Sequence, residues 1–311
     1  MNFIACGLIK LVCIFIKVDF DRDAAFPMKE KKHAISKPIQ IKETEYLDDP
    51  IKSTILKGTK EGMKFFLPYL IDNKIPTTFY FEARSATIFL EKNPEYIKKL
   101  NQSYFDFGIH GYDHEDFSGL ETGVTFTEKE EYEIISEAKK KIESLFSKDI
   151  CGFRAPYMRK STNTNRILEA LGFVYDSSVY QETTSPILPY YETKNLIEFP
   201  VIKTPKDSKM RGMYTYLWPM FEGKRNLEEI ISNYLELVGN SKDEISYISI
   251  NLHSWHFAYN IVQERYLTEK EIKKNLKSFR KLITALENIE DVKFSTPELW
   301  LKEYKKVLVK S

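Results

Sequence analysis

Cysteine is scarce in this chain of 311 residues: Cys6, Cys13 and Cys151 are all there are. Three widely spaced thiols without a CxxC pair make neither a disulfide framework nor a zinc ribbon, and they fit a reducing compartment. Charge of one sign is lacking too. The 46 Lys and Arg balance 45 Asp and Glu to a net +1, so the basic stripe of a nucleic-acid binder is missing. Lys29 to Lys32 is a short basic run of the kind found on a solvated loop. The glycine signatures GxGxxG and GxxxxGK[ST] are absent, and nucleotide-binding folds lose their usual support. No apolar run reaches the ~20 residues of a spanning helix. Phe3 to Ile16 comes nearest, but Lys10 interrupts it and it runs straight into a strand pattern. Residues 1–13 therefore read as an N-terminal extension, with a short membrane anchor as the alternative, and a cytoplasmic protein is expected.

What remains is an alternation of strand-like and helical runs from end to end, with no internal repeat and no domain boundary. Strands are expected over 14–20, 76–81, 105–109, 150–153, 173–175, 197–202, 245–252 and 292–294. Helices are expected over 59–73, 89–100, 127–146, 162–171, 227–238 and 268–289. Thr127 with Glu130, and Thr268 with Glu271, are capping boxes. Pro297 opens a last helix. Residues 23–57 are polar and read as an insertion or lid, and residues 14–311 as one α/β domain around a largely parallel sheet.

Histidine is rare, at five residues, yet two fall in His110-Gly111-Tyr112-Asp113-His114. Two imidazoles at i, i+4 can share one borderline metal ion, or can simply sit on an exposed helix. The pair follows an expected strand end, where active sites of α/β folds collect. Other strand ends carry polar residues as well. Asp19-Phe20-Asp21 places two carboxylates on one face of a strand, a costly arrangement unless a cation meets them. Arg154-Ala155-Pro156-Tyr157 follows the strand at 150–153, and Leu252-His253-Ser254-Trp255-His256 closes that at 245–252.

In this order, HGYDH, RAPY, Tyr175-Asp176-Ser177-Ser178 and LHSWHF resemble the motifs of the polysaccharide deacetylase family, the fourth carbohydrate esterase family. The likeness runs from about Lys17 to Phe257. Asp-Phe-Asp replaces the usual Thr-Phe-Asp-Asp and is similar to the Asp-x-Asp of atypical members. The resemblance implies a distorted (β/α)7 barrel and a metal-dependent deacetylase. By it, Asp21, His110 and His114 hold one divalent metal, zinc first, with cobalt, nickel or manganese as alternatives. Asp19 is the base, fixed by Arg154, and His253 the acid. A register with Asp21 as base and Asp23 as ligand is the lesser option. The backbone N–H of Tyr157 holds the oxyanion in the Pro156-Tyr157 turn, and Trp255 and Tyr157 are expected to form an apolar wall for an acyl methyl or sugar ring. Glu82 and Arg84 are expected at the mouth, in contact with substrate. The family's later Asp-Trp motif has no match here, which leaves Asp176 or Asp207 to orient His253. His256 is expected to point elsewhere. The implied substrate is an N-acetylated amino sugar in a glycan or glycan precursor. The rivals are a formamide, cyclic imide or other amide, and a non-catalytic carbohydrate-binding relative. The partners implied are a carbohydrate or small amide, with no nucleic acid.

Overall fold

The computed structural model describes residues 10–39 and 47–308. The first nine residues of the N-terminal extension, and part of the expected lid, lie outside this range. A nine-stranded sheet organises the chain. In chain order its strands are β1 (Leu11–Phe20), β2 (Thr77–Phe81), β3 (Phe105–Ile109), β4 (Gly152–Phe153), β5 (Tyr175–Asp176), β6 (Tyr190–Tyr191), β7 (Ile197–Glu198), β8 (Ile245–His253) and β9 (Val292–Phe294). The spatial order is β8-β1-β2-β3-β4-β5-β7-β6. Every pairing is parallel except β6 with β7. β1 is the central strand. β8 follows it along Leu11–Asp19, while β9 pairs with Val12–Ile14 and β2 with Ile16–Phe20. β1 begins three residues earlier than its pattern suggests, because Val12 and Cys13 are already buried.

The sheet curls into a distorted barrel. Its seam is bridged by isolated pairings rather than a full strand: Tyr214 pairs with Lys203, and Tyr216 with Asn251 of β8. Helices Lys57–Asp72, Glu128–Phe146, Leu227–Gly239 and Glu269–Glu287 cover the sheet. Both capping boxes form, at Thr127/Glu130 and Thr268/Glu271. The helix expected over 89–100 is instead two, Ala83–Lys92 and Glu95–Leu100. Pro94 sits between them, has no N–H to give, and disfavours helical geometry at Asn93. Among the described residues no helix is long and apolar enough to cross a membrane.

Two glycines let the barrel interior close on aromatic rings. A Cβ on Gly108 would lie 2.4 Å from Cδ1 of Tyr80, and one on Gly152 would lie 2.2 Å from the Tyr175 hydroxyl. Tyr80 in turn carries the Arg154 guanidinium 4.5 Å above its ring.

Candidate active site

The C-terminal ends of β1, β3, β4 and β8 converge on one cavity of about 570 Å³. Asp19 and Asp21, two apart on β1 and its extension, both face it and are almost fully buried. Arg154, directly after β4, is wholly buried beneath Asp19, and its Nη1 donates to Asp19 Oδ1 at 2.8 Å. Its other two nitrogens are also engaged. Nη2 reaches Asn251 Oδ1 at 2.9 Å and Ser177 Oγ at 3.2 Å, and Nε reaches the Ser177 carbonyl at 3.1 Å. Burial pushes the Asp19 carboxyl up, but Arg154, with His110 and His253 in support, outweighs it and holds Asp19 below the usual carboxylate range.

Asp21 has the opposite balance. Burial raises it well above its usual value, His253 opposes, and Asp19 and Glu82 add to the rise. Its Oδ1 accepts a hydrogen bond from Trp255 Nε1 at 2.9 Å, and its Oδ2 lies 3.5 Å from His114 Nε2. Ligand atoms of Asp21, His110 and His114 all lie within 4.8 Å of one another. His110 Nδ1 is engaged by the Arg154 carbonyl at 2.9 Å, which leaves Nε2 for the cluster. Burial lowers both imidazoles to about 4, against Asp19 for His110 and Glu82 for His114, so both are neutral at pH 7. Two neutral imidazoles and a buried carboxyl that ionises readily only beside a positive charge fit a divalent cation, and zinc suits the donor set.

His114 and Tyr157 both adopt left-handed backbone, at φ 58° and 56°. Non-glycine residues are held there at a cost of ~1–3 kcal/mol when the surroundings demand it. For Tyr157 the result is an N–H that reaches no acceptor among the described residues, in a turn that lines the cavity. His253 ends β8, in register with Asp19 on β1. Its Nε2 stands 3.8 Å from Asp19 Oδ2 and 4.0 Å from Asp21 Oδ2.

Residues 48–175 match the family profile "Polysaccharide deacetylase". A peptidoglycan deacetylase of Helicobacter pylori is 28% identical over 134 residues, 43% of this chain and 40% of the relative. Over this stretch the chain is similar to polysaccharide deacetylases. It spans about two fifths of the length of that curated relative, and the profile match includes His110, His114 and Arg154 but not Asp19, Asp21 or His253. Solved structures agree in fold. One from Mycobacterium smegmatis, assigned to the polysaccharide deacetylases, superposes with a TM-score of 0.61 at 18% identity, covering 96% of this chain and 93% of that one. The Puue allantoinase superposes with a TM-score of 0.63 at 16% identity, covering 94% and 91%.

Within this barrel several expected residues stand elsewhere. Glu82 is fully buried, not at the mouth. It accepts the Arg22 N–H and Nε–H at 2.9 Å each, and Arg22 also meets Asp113 at 3.1 Å. Arg84 pairs with Asp113, its Nη2 donating at 2.8 Å. Both residues thus brace the HGYDH loop, because a buried Glu needs a cation and Arg22 supplies it. Pro156 is buried against the Gly111 turn and does not line the cavity. Asp23 does not join the histidines. Its carboxylate accepts the Thr59 N–H at 2.9 Å, with Gly58, at the start of helix Lys57–Asp72, and the Tyr266 hydroxyl at 3.0 Å. That is a helix-end role.

Neither Asp176 nor Asp207 reaches His253. Asp176 is buried against Ser177, Ser178 and Lys160, with Lys160 Nζ at 2.8 Å, and Asp207 is exposed. The partner of His253 is His256, Nδ1 to Nδ1 at 3.2 Å, contrary to the expectation that His256 points elsewhere. Its spacing i, i+3 from His253 after a strand end was the available signal. Four aromatic residues, Tyr180, Tyr214, Tyr216 and Trp218, also line the cavity. These lie in segments whose conformation the sequence pattern does not give.

Proposed function

We propose that this chain is a metal-dependent amide hydrolase that removes an acyl group, acetyl first, from the nitrogen of an amino sugar in a glycan or glycan precursor. The observation that carries the reading is the Asp21, His110 and His114 cluster set beside an arginine-held carboxylate in an open, aromatic-walled cavity. Three protein donors leave room for a water, as catalytic zinc sites do. A divalent cation held by these three residues would supply Lewis acidity, acidifying a water and polarising the acyl oxygen. Asp19, kept ionised by Arg154, takes the proton of the attacking water. The N–H of Tyr157, in a turn that lines the cavity, stabilises the oxyanion. His253 turns Nε2 toward the two carboxylates and delivers the proton that an amine needs in order to leave. Trp255 fixes Asp21 through its indole N–H while its ring forms part of the wall. Aromatic faces offer a sugar ring its stacking surface. The convergence of base, ligands and acid favours catalysis over a carbohydrate-binding role alone.

A second reading, hydrolysis of a formamide or cyclic amide, draws on the Asp19-x-Asp21 pattern and on the fold likeness to an allantoinase. A panel of N-acetylglucosamine oligomers, N-formyl amines and cyclic imides separates the two. Acetate release with His253→Ala inactive supports the first reading, and turnover confined to the formyl or imide arm overturns it.

A further inference from the structure

The cavity carries two linings of different chemistry. Besides its four aromatic residues, Ala24, Ala25, Phe26, Ile261 and Val262 line it. These five belong to two short hairpins or directly adjoin them: Ala25–Phe26 paired with Ile35–Ser36, and Tyr259–Asn260 paired with Arg265–Tyr266. The hairpins are tied to the rest of the site. Lys37 of the first meets Glu264 of the second at 3.0 Å, and the Tyr266 hydroxyl donates to Asp23 at 3.0 Å. Ala24, Trp255 and Tyr259, with Ile261 and Tyr266 packed on them, form a hydrophobic cluster separate from the main core. Trp255 gives its indole N–H to Asp21, so this cluster adjoins a proposed metal ligand.

The hairpin lining is left uncovered at its edge. Phe26 is 45% exposed and Val262 57%. Apolar side chains scattered singly over a surface are ordinary. These two instead share one cavity with the proposed reacting centre, where a bound chain would take them out of water. An amide has two substituents to place there. In an N-acylated amino sugar the nitrogen carries the sugar and the carbonyl carbon carries the acyl chain. The tyrosines and Trp218 offer the sugar ring its stacking surface. An aliphatic lining gives hydroxyl groups nothing to bond, but it removes methylenes from water. The acyl chain is the substituent that matches it, and five apolar residues are more than one acetyl methyl can cover.

We propose that the hairpin lining is an acyl-chain subsite, and that the site releases unbranched acyl groups longer than acetyl, from butyryl to hexanoyl, as well as acetyl. The reaction is the same hydrolysis. Water adds to the acyl carbon, the C–N bond breaks, and the products are the free amine and a short-chain carboxylic acid. Turnover of such substrates rests on the hydrolase reading, whereas binding of the chain is measured without it.

The test has a binding arm and a turnover arm, both on the zinc-loaded protein. Calorimetry follows the binding of aceto-, butyro- and hexanohydroxamate. Release of free glucosamine follows the hydrolysis of N-acetyl-, N-butyryl- and N-hexanoylglucosamine. Hexanohydroxamate is expected to bind at least about tenfold tighter than acetohydroxamate, since each methylene fully buried is worth about fourfold. N-hexanoylglucosamine is expected to reach a kcat/KM at least equal to that of the N-acetyl sugar. Phe26→Ser and Val262→Asp, at exposed positions outside the core, lower the hexanoyl-to-acetyl ratio in both arms. Equal Kd along the hydroxamates, or no binding of any of them, overturns the inference. A kcat/KM that falls from acetyl to hexanoyl, as a closed methyl-sized pocket would give, overturns it too, as does a length preference that neither substitution moves. The octyl glycoside of N-acetylglucosamine places a chain on the sugar side instead, and a gain confined to that compound also overturns it. Hydroxamates that tighten with length, together with no turnover of any amide, leave the chain subsite standing and refute the hydrolase reading.

Discussion

Replacing Arg154 by methionine, which is close in length and apolar, tests whether the guanidinium is what keeps Asp19 ionised. Arg154 is wholly buried, and its removal strands three acceptors at once: Asp19 Oδ1, Asn251 Oδ1 and the Ser177 carbonyl. Breaking a buried pair by deleting one partner costs ~3–5 kcal/mol. With a urea m-value of about 3 kcal/mol/M for a chain of this size, the unfolding midpoint falls by about 1–2 M. The loss is pH-dependent, and its sign follows from Asp19. In wild type the folded carboxyl lies below its unfolded value, so its contribution is present above about pH 4 and lost as pH falls through the lower folded value. In the variant burial is unopposed by Arg154 and lifts the folded carboxyl above the unfolded value. Asp19 then destabilises at neutral pH, and that penalty fades as pH falls toward 4. Urea titrations of both proteins at pH 7 and pH 5 therefore converge at the lower pH. Adding Asp19→Asn to the variant recovers part of the loss, by ~0.5–3 kcal/mol of coupling. A variant within ~0.5 kcal/mol of wild type at both pH values, the range of an ordinary surface change, would refute the reasoning.

Two further substitutions probe the site's support. Trp255→Phe removes the 2.9 Å indole hydrogen bond to Asp21 Oδ1 while keeping the ring. Metal affinity drops ~10–100-fold by chelator competition, with unfolding little changed. Gly62→Ala lies within helix Lys57–Asp72, where alanine alone would stabilise by ~1 kcal/mol. Its Cβ would stand 2.2 Å from the Ser254 carbonyl, directly after His253. A backbone atom cannot swing aside, so the variant is less stable by ~1–3 kcal/mol and turns over more slowly. A stability gain would show the contact to be relaxed.

Much of the fold was legible because it is written in local signals. The apolar β1 core, both capping boxes and Pro297 each act within a few residues. The proposed base, ligands and acid were legible too, because their side chains are polar where a strand end does not require it. The supporting network was not, because it is made across the barrel. Glu82 reads as a mouth residue until Arg22, sixty positions away, is seen to neutralise it. Asn251 looks like any strand residue until Arg154 Nη2 reaches it across 97 positions. His256 lies past the strand end, where no local pattern shows which way its ring turns. The chain turns at Ser254–Ala258, and that turn brings residue i+3 back onto His253. Tyr214, Tyr216 and Trp218 of the aromatic wall depend on how residues 203–218 fold over β8, which no local pattern encodes.

The central claim is that Asp21, His110 and His114 hold one metal on which amide hydrolysis depends. Elemental mass spectrometry of wild type and of a His110→Ala/His114→Ala double variant, alongside acetate release from N-acetylglucosamine oligomers, tests it most directly. The account predicts about one metal ion per chain, lost in the double variant, with acetate released by wild type alone. Metal retained in full by the double variant, or none bound by wild type after reconstitution, would contradict it.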